Sequence, residues 1–164
     1  MLREKAKPVD NINGELQNLI DSMAETMYGA KGIGLAANQV GLLKRIIVFD
    51  VNPADKRGHF SVLINPEIVE SEGEMVSEEA CLSVLEYSAN VKRNAKVKVR
   101  GYDRDGREVE IEAENDLLCI CLQHEIDHLN GILFIDRISS LKRALYKKRL
   151  KKILKRRGEL SNSL

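Results

Sequence analysis

At 164 residues, with 43% hydrophobic and 31% charged side chains, the chain has the size and composition of one soluble globular domain. Its longest apolar runs, such as residues 117–122, are too short to cross a bilayer, and the N-terminus lacks the apolar segment of a secretory signal. Three cysteines in such a chain indicate reduced thiols or a metal ligand, so we expect a cytoplasmic protein without a membrane partner.

The formal net charge of +1 hides a charge asymmetry. Ten of the 26 Lys and Arg residues lie between positions 142 and 157, where there is no acid. The rest of the chain therefore carries 16 bases and 25 acids, a net charge of −9. An acidic body with a basic C-terminal segment predicts an anionic partner for that segment, although a solvated surface helix would show the same composition.

The N-terminal third predicts a helix followed by a loop and a strand. Apolar residues recur at three- and four-residue steps over about 14–29, which indicates an amphipathic helix. The glycine-containing segment 31–34 ends it, and residues 35–39 follow as a loop of small residues. The apolar run within 45–50 indicates a buried strand.

The middle of the chain predicts further strands. Residues 61–65 form a second buried strand that Pro66 stops, and 68–76 is extended. Residues 96–102 alternate with period two, and a turn containing glycine leads into 108–112. This pattern predicts a β-hairpin.

Asn115 or Asp116 caps a second predicted helix, which runs to about Asn130. Gly131 is a natural residue to follow the end of that helix. Residues 132–135 are apolar and predict a short strand.

The last predicted element is a basic helix that begins at Ser139 or Ser140 and runs to about Arg157. Five apolar residues predict that one face packs on the domain or on a partner, namely Leu141, Leu145, Leu150, Ile153 and Leu154. Together the elements predict a single α+β domain with antiparallel or mixed strands around a central helix, and a basic C-terminal helix.

The pentapeptide H-E-I-D-H, which begins at His124, predicts a metal site on that central helix. Residues i and i+4 share a helix face, so His124 and His128 can bind one ion, and Glu125 can take a proton from water activated there. Chance occurrence of the pattern in a chain of this size is on the order of one in a few hundred, which disfavours a solvated face that merely carries two histidines. Asp127 can orient an imidazole or pair with a base such as Arg93.

A catalytic site of this kind needs a third protein ligand. Phe134 stands where metzincin proteases place a third histidine, which disfavours that class. Cys121 would lie about 7.5 Å along the helix axis from an ion midway between the histidines, and Cys119 lies farther away, so we expect both in the core. His59 lies in a polar turn, so Cys81 is the best candidate for the third ligand.

Three segments together resemble the ordered motifs of peptide deformylases, which read G-x-G-L-A-A-x-Q, E-G-C-L-S and Q-H-E-x-D-H. They are 32–39 (G-I-G-L-A-A-N-Q), 79–83 (E-A-C-L-S) and 123–128 (Q-H-E-I-D-H). The resemblance predicts a deformylase-like catalytic domain over 1–140, followed by the basic helix and tail, 141–164.

The resemblance implies a metal-dependent hydrolase that removes the N-formyl group from the initiator methionine of nascent polypeptides and releases formate. Cys81, His124 and His128 would hold one divalent ion, with Glu125 as the general base. That ion is typically Fe(II) in this family, and zinc, nickel or cobalt can occupy the site.

The resemblance also assigns substrate contacts. Gln39 and the backbone N–H of Leu82 would stabilise the oxyanion, and the Gly34 backbone would form hydrogen bonds with the substrate peptide. The candidates for an apolar pocket around the methionine side chain, which core packing explains equally well, are Ile33, Leu117 and Ile120.

Ala80 stands where the second motif has glycine. If this residue adopts a positive φ, the substitution strains the loop that presents Cys81. An alternative function follows from this possibility: a catalytically impaired deformylase-like protein that acts through ribosome or RNA binding. In this family a C-terminal helix can dock at the ribosome near the nascent-chain exit, which predicts a ribosomal partner for 141–157.

Overall fold

The computed structural model of the chain describes residues 2–81 and 87–162, with side chains as far as residue 158. Within these ranges the α-helices are α1 (Gly14–Gly29), α2 (Leu117–Leu129) and α3 (Ser140–Asn162). The strands are β1 (Gly34–Ala36), β2 (Ile46–Phe49), β3 (Ser61–Glu72), β4 (Met75–Ala80), β5 (Ser88–Arg93), β6 (Lys96–Tyr102) and β7 (Glu108–Glu114). Short 3-10 helices form at Ala37–Val40, Ala54–Lys56 and Phe134–Arg137.

The strands form two antiparallel sheets. The larger sheet has the order β1-β2-β3-β6-β7, and β4 pairs with β5 in a separate two-stranded sheet. The predicted hairpin is confirmed as β6 and β7, in which Lys96 opposes Glu114 and Tyr102 opposes Glu108. Strand β1 lies at one edge of the larger sheet.

Strand β2 is covered by a helix on each face. Ile46 and Val48 pack with the apolar side chains of α1, whereas Ile47 and Phe49 pack with those of α2. Successive residues of a strand point to opposite faces, so burial on both faces accounts for the uninterrupted apolar run in the sequence. Complete burial of a side chain such as Ile20 of α1 contributes about 1.5–3 kcal/mol.

Side-chain caps set the starts of the first two helices. The Asn13 side chain accepts the Leu16 N–H at 2.9 Å, and the Asp116 side chain accepts the Cys119 N–H at 2.8 Å. Gly131, just beyond α2, has a φ of 74°, as predicted for a residue that follows a helix end. The predicted spans of α1 and α2 and the α+β class are confirmed.

The predicted end of β3 at Pro66 is wrong. The strand continues to Glu72, with an irregularity in its pairing to β6 between Ile64 and Glu67. A proline is tolerated at such an irregularity because the regular ladder of hydrogen bonds is already interrupted there.

Two other local predictions also differ from the structure. Residues 132–135 form no strand; the side chain of Asp136 accepts the Leu133 N–H at 2.9 Å, and a 3-10 helix begins at Phe134. The predicted loop over 35–39 instead contains most of β1 and of a 3-10 helix.

Helix α3 packs on the domain through a narrower apolar face than predicted. Tyr146 and Ile153 are each 4% exposed, and Tyr146 belongs to a cluster with Phe134 on which Leu150 also packs. Three of the five residues expected on this face, Leu141, Leu145 and Leu154, are 69%, 59% and 51% exposed. The division of the chain at residue 140 stays a prediction. Within the described ranges, none of the helices has the length and apolar character needed to cross a membrane.

Candidate metal centre

Cys81, His124 and His128 meet beside a cavity. Cys81 directly follows β4, whereas the two histidines lie one turn apart on α2. The Sγ atom of Cys81 is 3.2 Å from Nε2 of His128, and one donor atom from each of the three residues lies within 4.8 Å of the others. Within the described part of the chain, this is the one group of His, Cys, Asp and Glu side chains with such spacing.

The three donors fit a divalent metal ion. Bonds of about 2.3 Å to sulfur and about 2.0 Å to imidazole nitrogen place tetrahedral ligands roughly 3.3–3.5 Å apart, close to the observed separation of Cys81 and His128. The Oε2 atom of Glu125 is buried and has no hydrogen-bond partner. An unpaired buried carboxylate oxygen is costly, and a nearby cation with its water would remove that cost.

Ala80, one residue before the thiol, has ordinary backbone geometry. The non-glycine residues with positive φ in the described ranges are Lys31, Asn65 and Asn115. Ala80 ends β4, where it opposes Ser88. The alanine at position 80 therefore causes no backbone strain. This removes the reason to expect an impaired site.

Glu79, which the sequence did not mark as a site residue, orients one of the two histidines. Its Oε1 lies 2.8 Å from Nδ1 of His124, so the other ring nitrogen is left for a metal. Burial would raise the pKa of Glu79, but hydrogen bonds from Arg93 and His124 outweigh it and lower the pKa to about 2. The alternation of β4 places Glu79 on the buried side with Ser77, an orientation that the polar sequence of residues 77–79 does not signal.

A buried ion-pair network lies behind the centre. Arg93 is 4% exposed and bridges Glu79 at 2.6 Å and Asp127 at 2.6 Å. Asp127 also accepts two hydrogen bonds from Arg137, at 2.5 and 2.7 Å. The predicted pairing of Asp127 with Arg93 is confirmed, whereas the imidazole is oriented by Glu79.

Glu125 combines burial with a position on the cavity wall. Burial raises its pKa to about 7, although the positive charges of His124 and Arg93 act in the opposite direction. Its Oε1 lies 3.9 Å from Nε2 of His124. A carboxyl group with a pKa in this range can both accept and return a proton near neutral pH.

The amide of Gln39 is held in a defined orientation. Its Oε1 accepts the backbone N–H of Ala36 at 2.9 Å, and its Nε2 lies 3.6 Å from Sγ of Cys81. The amide N–H₂ group is thereby directed toward the candidate metal centre. Leu82, the other predicted oxyanion donor, lies outside the described residues.

A cavity of about 370 Å³ opens beside the centre. The four residues predicted to contact substrate all line it: Ile33, Gly34, Leu117 and Ile120. Leu117 is 47% exposed, so core packing does not account for its position.

Gly34 allows β1 to approach α2 closely. A Cβ atom at this position would lie 2.8 Å from Sγ of Cys121 and 2.9 Å from Cγ of Glu125, distances that real side chains do not tolerate. The glycine therefore places an edge-strand backbone directly beside the candidate general base.

The other cysteines and histidine take no part in the group of donors. Cys119 and Cys121 are buried, as predicted, and burial raises the pKa of the Cys121 thiol well above its usual value. His59 is exposed, also as predicted.

Comparison with known proteins identifies the family. The model of the polypeptide deformylase family matches residues 1–144. The peptide deformylase of Thermodesulfovibrio yellowstonii is 57% identical over 151 residues, which are 92% of this chain and 91% of that protein. A crystal structure of a peptide deformylase from Legionella pneumophila is 46% identical, with a TM-score of 0.87, and the match covers 96% of this chain and 91% of that one. A peptide deformylase from Synechococcus elongatus, solved in complex with actinonin, is 42% identical with a TM-score of 0.84 over 92% of this chain and 81% of that one. The chain therefore belongs to the peptide deformylase family of metal-dependent hydrolases.

Proposed function

We propose that the chain removes the N-formyl group from the initiator methionine of nascent polypeptides, with one divalent metal ion held by Cys81, His124 and His128. Membership in the family supports the reaction. The observation that carries the assignment of residues is the convergence of these three donors beside a cavity that Glu125 also lines.

The donor set suits several ions. One thiolate and two imidazoles bind Fe(II), zinc, nickel and cobalt, so geometry does not choose among them. We propose Fe(II), as the resemblance to the family implies. Both Fe(II) and the Cys81 thiolate react with oxygen species, so metal analysis requires protein purified without air.

Each side chain of the centre has a proposed role in hydrolysis. When bound, the divalent ion supplies Lewis acidity that activates water and polarises the formyl carbonyl. Glu125 accepts a proton from the attacking water and returns it to the leaving amine nitrogen as the C–N bond breaks. The Nε2 group of Gln39 donates a hydrogen bond to the formyl oxygen as its negative charge develops. The products are formate and a free N-terminal methionine, and the N–H of Leu82 is a further proposed donor to the oxyanion.

The cavity suits an extended peptide that begins with methionine. Strand β1 pairs with β2 on one side and lies at the edge of the sheet, so the Gly34 backbone is in a position to bond a substrate strand. The apolar side chains of Ile33, Leu117 and Ile120 would contact the methionine side chain.

The test compares formate release and metal content in the same preparations. The metal-loaded wild type should release formate from formyl-methionyl peptides. Glu125→Gln should keep its metal but lose at least 100-fold in kcat, because it removes a general base. Cys81→Ala should lose both metal and activity, whereas Cys119→Ala, a matched change of a buried cysteine outside the centre, should keep both. Metal-replete wild type that releases no formate would refute the proposal.

We also propose that the exposed basic face of α3 binds the ribosome. Lys148, Lys151 and Lys152 are exposed, whereas Tyr146 and Ile153 bury the other side of the helix. Such a face would neutralise RNA phosphates and make binding strongly dependent on salt.

Substitutions on the exposed face test this better than deletion of the helix, which would uncover the residues under Tyr146. The double variant Lys148→Glu, Lys152→Glu should weaken ribosome binding at least 10-fold and leave hydrolysis of short peptides unchanged. The control is Lys44→Glu, Lys56→Glu, which changes two exposed lysines elsewhere by the same charge. Equal binding by both double variants would argue against a role for α3.

A further inference from the structure

Residues 32–34, which we call the glycine wall, form one side of the cavity. Their own sequence does little to fix the backbone in one conformation. Two of the three residues are glycines, which lose more conformational freedom on ordering than other residues. The last residue of the wall, Gly34, begins β1, a three-residue strand at the edge of the sheet. A wall of this kind needs contacts from outside to keep one conformation.

Asp50 supplies the first of these contacts. It directly follows β2, is 2% exposed, and its backbone N–H donates to the Ile33 carbonyl at 2.8 Å. Its carboxylate accepts hydrogen bonds from the Tyr28 hydroxyl at 2.6 Å, from the Gly58 N–H at 3.0 Å, and from the backbone and side-chain nitrogens of Asn52 at 3.1 and 2.9 Å. One buried residue thus ties three segments together: its backbone N–H bonds the wall, and its carboxylate bonds the end of α1 and the loop over 51–58.

Arg57 supplies the second contact. Because Gly58 is bonded to Asp50, the loop folds back and brings the Arg57 side chain to the wall. Its Nη2 donates to the Gly32 carbonyl at 2.5 Å, and its guanidinium lies 5.3 Å from the centre of the Tyr28 ring. Tyr28 therefore contacts both residues that hold the wall, Asp50 and Arg57.

The protonation states match this arrangement. Burial would raise the pKa of Asp50, but hydrogen bonds from Tyr28, Gly58 and Asn52 lower it to about 2. Burial and the hydrogen bond to Asp50 raise the pKa of Tyr28 to about 12. Asp50 therefore stays ionised, Tyr28 stays neutral and protonated, and their hydrogen bond persists over the physiological pH range.

We propose that Tyr28, Asp50 and Arg57 are positioning residues that hold the glycine wall in place for the substrate peptide. None of the three lines the cavity, so they act on substrate through the wall. The inference rests on the proposed function of the cavity. It predicts weaker binding of peptide when these contacts are removed, with little effect on the chemical step.

Arg57→Ala is the primary variant because its side chain is only partly buried and the protein should still fold. The matched control is Arg104→Ala, which removes another arginine that lies over an aromatic ring, 5.9 Å from Phe60, and that bonds Gln17 and Asp21 away from the cavity. For a formyl-methionyl tripeptide, Arg57→Ala should raise KM at least fivefold and change kcat less than twofold. Tyr28→Phe should raise KM less, and Arg57→Lys should restore most of the loss.

Hydrogen–deuterium exchange of residues 31–36 gives a second readout that does not depend on activity. Exchange there should be faster in Arg57→Ala than in wild type or Arg104→Ala. Unchanged exchange, or a KM increase equal to that of Arg104→Ala, would overturn the inference, as would faster exchange with an unchanged KM. If wild-type protein releases no formate, the proposed function fails while the exchange experiment still decides whether Arg57 holds the wall.

Discussion

The Oε1 atom of Glu79 lies 2.8 Å from Nδ1 of His124, which links the strand that precedes Cys81 to the helix that carries both histidines. The contact selects the ring nitrogen that a metal can use, because a nitrogen bonded to a carboxylate is not available as a ligand. Arg93 holds the same carboxylate through both of its oxygens, at 2.8 and 2.6 Å. The geometry of the centre therefore depends on the buried ion pair between Glu79 and Arg93.

Replacement of Glu79 by glutamine should weaken metal binding. The amide keeps the size of the side chain but loses the charge that fixes the His124 ring and balances buried Arg93. We expect a 10–100-fold loss of zinc affinity, the range typical of groups that support a metal ligand. Competition with a chromophoric chelator measures it, and Glu78→Gln, at an exposed neighbour on β4, serves as the control. Equal affinities for the two variants would contradict the role given to Glu79.

Gly34→Ala should damage the site because the added methyl group crowds it. Its Cβ would lie within 3 Å of both Cys121 and Glu125, so the Glu125 side chain or the strand must shift. We expect a destabilisation of about 1–3 kcal/mol and at least a 10-fold loss of kcat/KM, with metal content unchanged.

The control for this crowding is Gly29→Ala, since a Cβ at Gly29 would meet nothing within 4 Å. Its stability and kcat/KM should stay close to those of wild type. Addition of Cys121→Ala to Gly34→Ala should recover part of the loss because it removes one of the two clashing atoms. A Gly34→Ala enzyme with wild-type kcat/KM would show that close approach is not required.

Much of the candidate metal centre could be predicted because it depends on residues that are close together in the sequence. The spacing of His124 and His128 follows from helix geometry, and the helix itself is marked by its Asp116 cap and by Gly131. The exclusion of Cys121 as a ligand also needs only the rise of a helix. The prediction of Cys81 as the third ligand required the resemblance to the family, together with the exclusion of Cys119, Cys121 and His59.

What could not be predicted depends on contacts between distant elements. Glu79 reaches His124 only because the two-stranded sheet packs beside α2, and no periodicity encodes that contact. The course of β3 through Pro66 depends on a pairing irregularity with β6, which comes later in the chain. In α3, Leu145 and Tyr146 are neighbours with opposite exposure, and only the position of the domain decides which one is buried.

The opposite exposure of Leu145 and Tyr146 gives a test of whether α3 is part of the folded domain. Tyr146 is 4% exposed, its ring centre is 4.5 Å from that of Tyr87, and Phe134 beneath them stacks on His124 at 6.2 Å. Tyr146→Ala should lower the free energy of unfolding by about 3–5 kcal/mol, as for other large buried aromatic residues. Leu145→Ala, at a residue that is 59% exposed, should change it by less than about 0.5 kcal/mol. Urea denaturation measures both, and equal effects would favour an independent tail from residue 141.

The Asp50 cluster predicts how stability changes in acid. Hydrogen bonds lower the pKa of Asp50 from 3.8 to about 2 in the folded protein, so the folded state prefers the ionised carboxylate. A lowered folded-state pKa contributes stability that is fully present above the unfolded value and is lost as the pH falls through the folded value. The window is therefore about pH 4 to pH 2, and the contribution at stake is about 2 kcal/mol. Asp50→Asn should be less stable than wild type at pH 5, and the difference should shrink by about this amount at pH 2.

Urea unfolding of wild type, Asp50→Asn and Tyr28→Phe at pH 5, 3 and 2 measures this effect. Other carboxylates titrate in both wild type and variant, so the difference between them isolates Asp50 if the sites are independent. Tyr28→Phe should show an intermediate effect, because it removes one of the hydrogen bonds that lower the pKa and leaves those from Gly58 and Asn52. A difference that stays constant from pH 5 to pH 2 would mean that Asp50 titrates alike in the folded and unfolded chain, and that its hydrogen bonds do not favour the charged form.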